Sequence, residues 1–135
     1  MAFDREFASA TVFCEASSLS PLARRGVASV ICQRLRLAPR FGTTLAQVVL
    51  RYHQFSEWNG DPTDNRNLLR VATVDENDPV LFDCCEAMDQ AQAGYKNPAD
   101  GATHFYDTRI KAPDWAVGAE LVCHIDTLAF YKGVK

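Results

Sequence analysis

The stretch Glu120-Leu121-Val122-Cys123-His124-Ile125-Asp126-Thr127-Leu128-Ala129-Phe130-Tyr131-Lys132 decides the fold class of this chain. Its two runs, Glu120–Ile125 and Leu128–Lys132, carry β-branched and aromatic residues in short blocks, and Asp126-Thr127 between them has turn chemistry. Upstream, Ala102-Thr103-His104-Phe105-Tyr106 reads as a third short strand. Before Gly94 the character is helical. Phe3, Phe7, Ala10 and Cys14 recur at spacings of four, three and four, the stripe of a helix reaching Ala16. Ser20-Pro21 is a helix start, because the hydroxyl caps free N–H groups and Pro is preset for the first helical position. Leu22, Gly26, Val27, Val30, Ile31 and Leu35 then form one apolar face, which Pro39 ends. Gly26 suggests a close approach by a neighbouring helix.

A shorter helix starts at Thr44 and includes Leu45, Val48 and Val49, and Tyr52–Asp64 reads as a loop or short strand. Asp78-Pro79 repeats the cap-plus-proline signal, and its helix runs to Gly94. The expected class is α+β: a mostly helical core with a small antiparallel sheet supplied mainly by the C-terminal third.

At 135 residues the chain fits a single domain spanning 1–135, long enough to bury a core without disulfides or metal. Its 14 Lys+Arg against 17 Asp+Glu leave a net charge of −3, too weak a field to draw in nucleic acid or anionic lipid. No run approaches the ~18 apolar residues of a membrane span. Cysteines at 14, 32, 84, 85 and 123 are odd in number, show no Cys-x-x-Cys spacing and lie mostly in apolar runs, so they read as buried free thiols. A zinc site would need His53, His104 or His124 to join them without local ligand spacing. Neither a metal nor a cofactor is expected, and the chain reads as a monomer.

Three places hold unusual side chains. Glu15 ends an apolar helix just before a polar loop, where a carboxyl can line a cleft and serve as a general acid; helical spacing alone fits a solvated helix-end glutamate better. Gln54-Phe55-Ser56-Glu57-Trp58-Asn59 packs amide, hydroxyl and aromatic groups closely enough to suit a carbohydrate, and equally a core-anchoring Phe and Trp in a polar turn. On the strand around His104, alternation places Thr103 and Phe105 on one face and His104 and Tyr106 on the other, so that one face can line a site while the other packs. A lone strand histidine is more often structural than catalytic.

These segments, with Gly26-Val27-Ala28 and Arg34, Val48-Val49, Pro113, Trp115-Ala116 and Phe130-Tyr131, resemble in order and spacing the cell-wall hydrolases of the spore-cortex-lytic (SleB and CwlJ) type. The resemblance covers about Val12 to Tyr131. It implies a lysozyme-like core and a lytic transglycosylase or muramidase acting on the glycan strands of peptidoglycan. The family's catalytic glutamate falls on Glu15, which reverses the reading from spacing. Gln54, Phe55, Ser56, Trp58, Thr103, His104, Tyr106 and Trp115 become the expected substrate-binding residues. The chain departs from the family pattern at Cys14 and Ser17, where Gly and Arg are usual, at Gln33 in place of Asn, and at Leu128 in place of His.

The mechanism this implies is cleavage of the N-acetylmuramic acid–N-acetylglucosamine β-1,4 bond with Glu15 as sole acid and base. A two-carboxylate muramidase would recruit Glu57 or Asp61. A thiol peptidase using Cys14 or Cys32 with His104, and a non-catalytic peptidoglycan-binding module, are the rival classes. Met1-Ala2-Phe3-Asp4-Arg5-Glu6 has acids where a secretory signal is basic, so the expectation is synthesis in the cytoplasm and action on the wall after release through a phage pore, as in an endolysin.

Overall fold

A computed structural model describes residues 3–51, 55–59 and 65–135, with backbone alone at 57 and 65–68. Helices α1 (Asp4–Ala16), α2 (Pro21–Arg36), α3 (Leu45–Leu50), α4 (Asn65–Thr73) and α5 (Pro79–Gln92) precede strands β1 (His104–Asp107), β2 (Glu120–Ile125) and β3 (Leu128–Lys132). Single 3₁₀ turns occupy Ser56–Trp58 and Asp114–Ala116. The class is α+β, as the residue pattern implies.

The helix starts follow their caps. The Ser20 hydroxyl accepts from the Ala23 N–H, Thr44 from Gln47, and Asp78 from Val80 and Leu81, each taking up donors that the first helical turn leaves unpaired. Gly94, at φ +82°, follows the end of α5 as expected for a left-handed stop. Helix α4 lies in a stretch whose residue pattern was given no assignment, although at nine residues it is longer than the expected α3.

Helix α2 organises the interior, packing on α1, α3, α5 and the sheet. Its Val27, Val30 and Ile31 are fully buried together with Val12 of α1, Cys84 and Met88 of α5 and Phe130 of β3. Each such side chain contributes about 1.5–3 kcal/mol by leaving water. The close approach at Gly26 comes from the sheet and not from a helix: a Cβ there would sit 2.8 Å from Phe130 Cζ and 3.2 Å from Ile125 Cδ1. Glycine at this position lets an aromatic side chain of the sheet rest directly on the α2 backbone.

The sheet is antiparallel throughout, in the order β1-β3-β2. Strand β1 starts at His104, two residues later than expected, because Ala102 closes a turn by donating to the Ala99 carbonyl. Asp126, at φ +52°, occupies the β2–β3 turn, and its carboxylate accepts from the Ser20 N–H at 2.8 Å. That bond ties the turn to the first residues of α2. On the other side of this corner, buried Arg24 donates to the carbonyl of Leu19 at 3.0 Å and to Asp83 of α5 at 2.7 Å. The α1–α2 connection is thus clamped just beyond Glu15. All five cysteines are free thiols, with Cys14, Cys32 and Cys84 buried. No helix among the described residues is long and apolar enough to cross a membrane.

Candidate active site

Glu15 stands half-buried one residue before the C-terminus of α1, facing a cleft of about 460 Å³. Arg34 of α2, Phe55, Ser56 and Asn59 of the 3₁₀ segment, Phe105, Tyr106 and Asp107 of β1, Ile110 and Leu128 complete the lining. Helices therefore supply one wall and the sheet the other.

The floor is built around Arg34, which is only 5% exposed. Its Nε donates to the Thr103 carbonyl at 2.7 Å, and the guanidinium carbon lies 5.0 Å from the Phe41 ring centre and 5.2 Å from that of Phe55. Burial pulls the Arg34 pKa down to about 10, Glu15 acts against that fall, and Arg40 reinforces it. Arg34 remains a cation at neutral pH and offers a favourable partner to the carboxylate form of Glu15.

The 3₁₀ segment is held against α1 by Trp58. Its indole N–H donates to Thr11 Oγ1 at 2.9 Å, and its ring meets Phe7 edge-on at 5.7 Å. Thr11 in turn donates to the Phe7 carbonyl, so an otherwise buried hydroxyl is satisfied on both sides. This anchor brings Ser56 and Asn59 to the cleft.

Of the residues expected from sequence, Glu15, Phe55, Ser56 and Tyr106 meet in one cleft. Phe55 is 2% exposed and underlies the cleft beside Arg34 and Phe105, so it offers no open stacking face. Trp58 and Thr103 stand outside the lining in packing positions. Thr103 is buried, with its N–H on the Tyr131 carbonyl, its carbonyl on Arg34 and its hydroxyl 2.9 Å from His104 Nδ1. His104 and Trp115 also stand apart from the cleft lining, their rings 4.9 Å apart on the outer face of the sheet. Burial, then Arg34 and Arg40, push the His104 pKa down to about 4, which makes it a neutral ring at pH 7. Gln54 and Asp61 lie outside the described residues, as does the side chain of Glu57.

The lining residues outside the expected set are Asn59, Phe105, Asp107, Ile110 and Leu128, together with Arg34, which the sequence offers only as a family marker. The signal available for Asp107 was its place at the end of the His104-Phe105-Tyr106 run. A thiol nucleophile fits poorly: Cys14 is buried, and burial lifts Cys32 to about 11, far from a reactive thiolate. Among the described residues no group of three or more His, Cys, Asp and Glu side chains is placed to hold a metal ion.

Comparison with solved structures places this architecture beside two catalytic domains. One is the catalytic domain of the SleB protein of Bacillus cereus, with a TM-score of 0.75 at 17% identity, covering 98% of this chain and 91% of that one. The other is the catalytic domain of the germination-specific lytic transglycosylase SleB of Bacillus anthracis, with a TM-score of 0.74 at 20% identity, covering 98% and 96%. At these identities the likeness is one of fold. The comparison with curated protein sequences finds no match. The cell wall hydrolase family model matches residues 20–131. The match begins at the cap of α2, so Glu15 precedes it and owes its place in the cleft to the packing of α1. Covering most of the chain from α2 to β3, the match shows that this protein belongs to the cell wall hydrolase family.

Proposed function

We propose that the domain is a peptidoglycan lytic transglycosylase that cleaves the β-1,4 bond between N-acetylmuramic acid and N-acetylglucosamine, with Glu15 as both acid and base. The observation that carries this reading is the position of Glu15 on a cleft large enough for sugar rings, facing the polar groups of Ser56, Asn59, Tyr106 and Asp107. Family membership supplies the substrate class, and the name of the Bacillus anthracis relative supplies the reaction type.

Protonated Glu15 gives its proton to the glycosidic oxygen as the C1–O bond breaks and positive charge develops on the muramoyl ring. The substrate's own acetamide carbonyl offsets that charge. Glu15, now a carboxylate, takes the proton of the muramoyl 6-hydroxyl while O6 bonds to C1. The ring closes as a 1,6-anhydro sugar, and the acid is restored without water or cofactor. Nearby donors on the cleft wall orient the sugar hydroxyls.

Mass spectrometry of purified peptidoglycan digested by the wild-type protein and by Glu15→Gln tests this. Wild type should release anhydromuramoyl ends, and the variant should be slower by about 10²–10⁴-fold, the usual worth of a positioned acid–base group. Reducing muramic acid ends would overturn the transglycosylase, and near-normal lysis by a folded Glu15→Gln protein would overturn the role of Glu15.

A further inference from the structure

Besides Glu15, Asp107 is the carboxylate that lines the cleft among the described side chains, and it comes from the opposite wall. It is held unusually firmly for a residue at a strand end. Oδ1 accepts from the Arg109 backbone N–H at 2.9 Å and from Arg109 Nε at 3.0 Å, while Oδ2 takes a second bond from the same guanidinium through Nη2. The loop that follows is pinned as well. The N–H and the hydroxyl of Thr108 both donate to the Thr127 carbonyl at 2.8 Å, and neighbouring Asp126 is bonded to Ser20 at the start of α2. These bonds tie the cap of α2 to the β2–β3 turn and that turn to the residue after Asp107.

The Arg109 side chain is 68% exposed, so the ion pair adds little to stability in water. Its effect is to fix the orientation of the carboxylate and to offset its charge. Arg109 engages both oxygens, its Nε reaching Oδ2 as well at 3.1 Å, yet the Asp107 side chain lines the cleft and stays 26% exposed, so the braced carboxylate can still accept from a ligand there. Arg109 also holds the Asp107 pKa below the usual carboxylate value, so these sites stay acceptors at neutral pH.

We propose that Asp107, braced by Arg109, is a substrate-positioning residue that accepts hydrogen bonds from the hydroxyl or acetamido N–H groups of an N-acetylated amino sugar. The assignment rests on the reading of the cleft as a glycan site. Asp107 binds the sugar and leaves proton transfer to Glu15.

The test is calorimetric titration of an alternating N-acetylglucosamine–N-acetylmuramic acid tetrasaccharide into Glu15→Gln protein, with and without Asp107→Ala, alongside kcat and KM for Asp107→Ala and Asp107→Asn in the Glu15 background. Loss of the charged acceptor should weaken binding about tenfold, equivalent to about 1.4 kcal/mol, and should raise KM while kcat stays within about threefold. Arg109→Ala should weaken binding less, by about threefold. Unchanged affinity in a folded Asp107→Ala protein would overturn the proposal. So would a fall of about 100-fold in kcat at constant KM for Asp107→Asn, which would make Asp107 the second carboxylate of a hydrolase. The two failures are distinguishable: if the assignment of Glu15 fails, Glu15→Gln protein still cleaves the glycan in the mass-spectrometric assay, whereas failure of the Asp107 proposal shows as affinity and KM unchanged by Asp107→Ala.

Discussion

The two faces of the small sheet are packed by different means, although the same three strands supply both. On the inner face Phe105 and Phe130 pair across β1 and β3, with ring centres 5.6 Å apart, and Phe130 rests on the bare backbone at Gly26. Phe130 is fully buried on that face, whereas Phe105 is half-buried and reaches the cleft. On the outer face His104 pairs with Tyr131, Tyr106 and Tyr131 stack at 5.9 Å, and Trp115 returns from the following loop to meet all three rings. That face is half-buried, polar at its edges and able to titrate. The comparison shows that alternation along β1 separates two kinds of packing. The cleft belongs to neither face alone, since it opens at the strand's C-terminal end, where Asp107 and Leu128 are paired.

The most severe way to break this contrast is Phe130→Ala. Phe130 is fully buried, and its removal leaves a cavity between α2 and β3. A loss of about 3–5 kcal/mol is expected, measurable by urea unfolding as a fall in midpoint at constant slope. The reciprocal change, Gly26→Val, fills space that the Phe130 ring already occupies. It should cost about 1–3 kcal/mol despite the better helix propensity of valine. If Phe130→Ala restored part of the Gly26→Val loss, the double mutant would confirm that both act through one contact.

The smallest effect belongs to the outer face and appears as a pH dependence. The folded protein holds His104 with a pKa of about 4 against 6.5 for the free side chain, so the unfolded chain binds the extra proton between these values. The stability contributed by keeping His104 neutral is therefore complete above about pH 6.5 and is lost as the pH falls toward 4. For a half-buried ring, screening reduces the contribution to about 1–2 kcal/mol. A His104→Gln protein should lose less stability than wild type across this window. Parallel curves for the two proteins would remove His104 from the acid response.

Much of the fold was legible because it rests on local chemistry. Ser20-Pro21, Thr44 and Asp78-Pro79 mark helix starts through bonds that reach only two or three residues, and all three caps are formed. The β2–β3 hairpin was equally legible, since strand-forming blocks flank a two-residue turn at Asp126-Thr127. Helix α4 was passed over although it is longer than α3, which the Thr44 cap announced. The close neighbour of Gly26 was also misjudged, because a glycine announces that something comes near without saying what.

The site was less legible than the fold. Polar and aromatic residues near Glu15, Phe55 and His104 stand out as unusual in the sequence, but type and spacing do not distinguish a ring that faces a cleft from one that anchors a loop. Trp58 looked like a sugar platform and is bonded to Thr11, and Thr103 looked like a sugar ligand and is buried with its polar groups already engaged. By itself, then, the sequence determined the helix starts, the hairpin, the α+β class and, through the order of its motifs, the family. The tertiary structure alone decided which side chains share the cleft, setting Arg34 under Glu15 and Asp107 across from it. The physical reason is range. Caps and turns are settled within a few residues by hydrogen bonds, whereas the cleft joins α1, α2 and β1 through packing across residues about ninety positions apart.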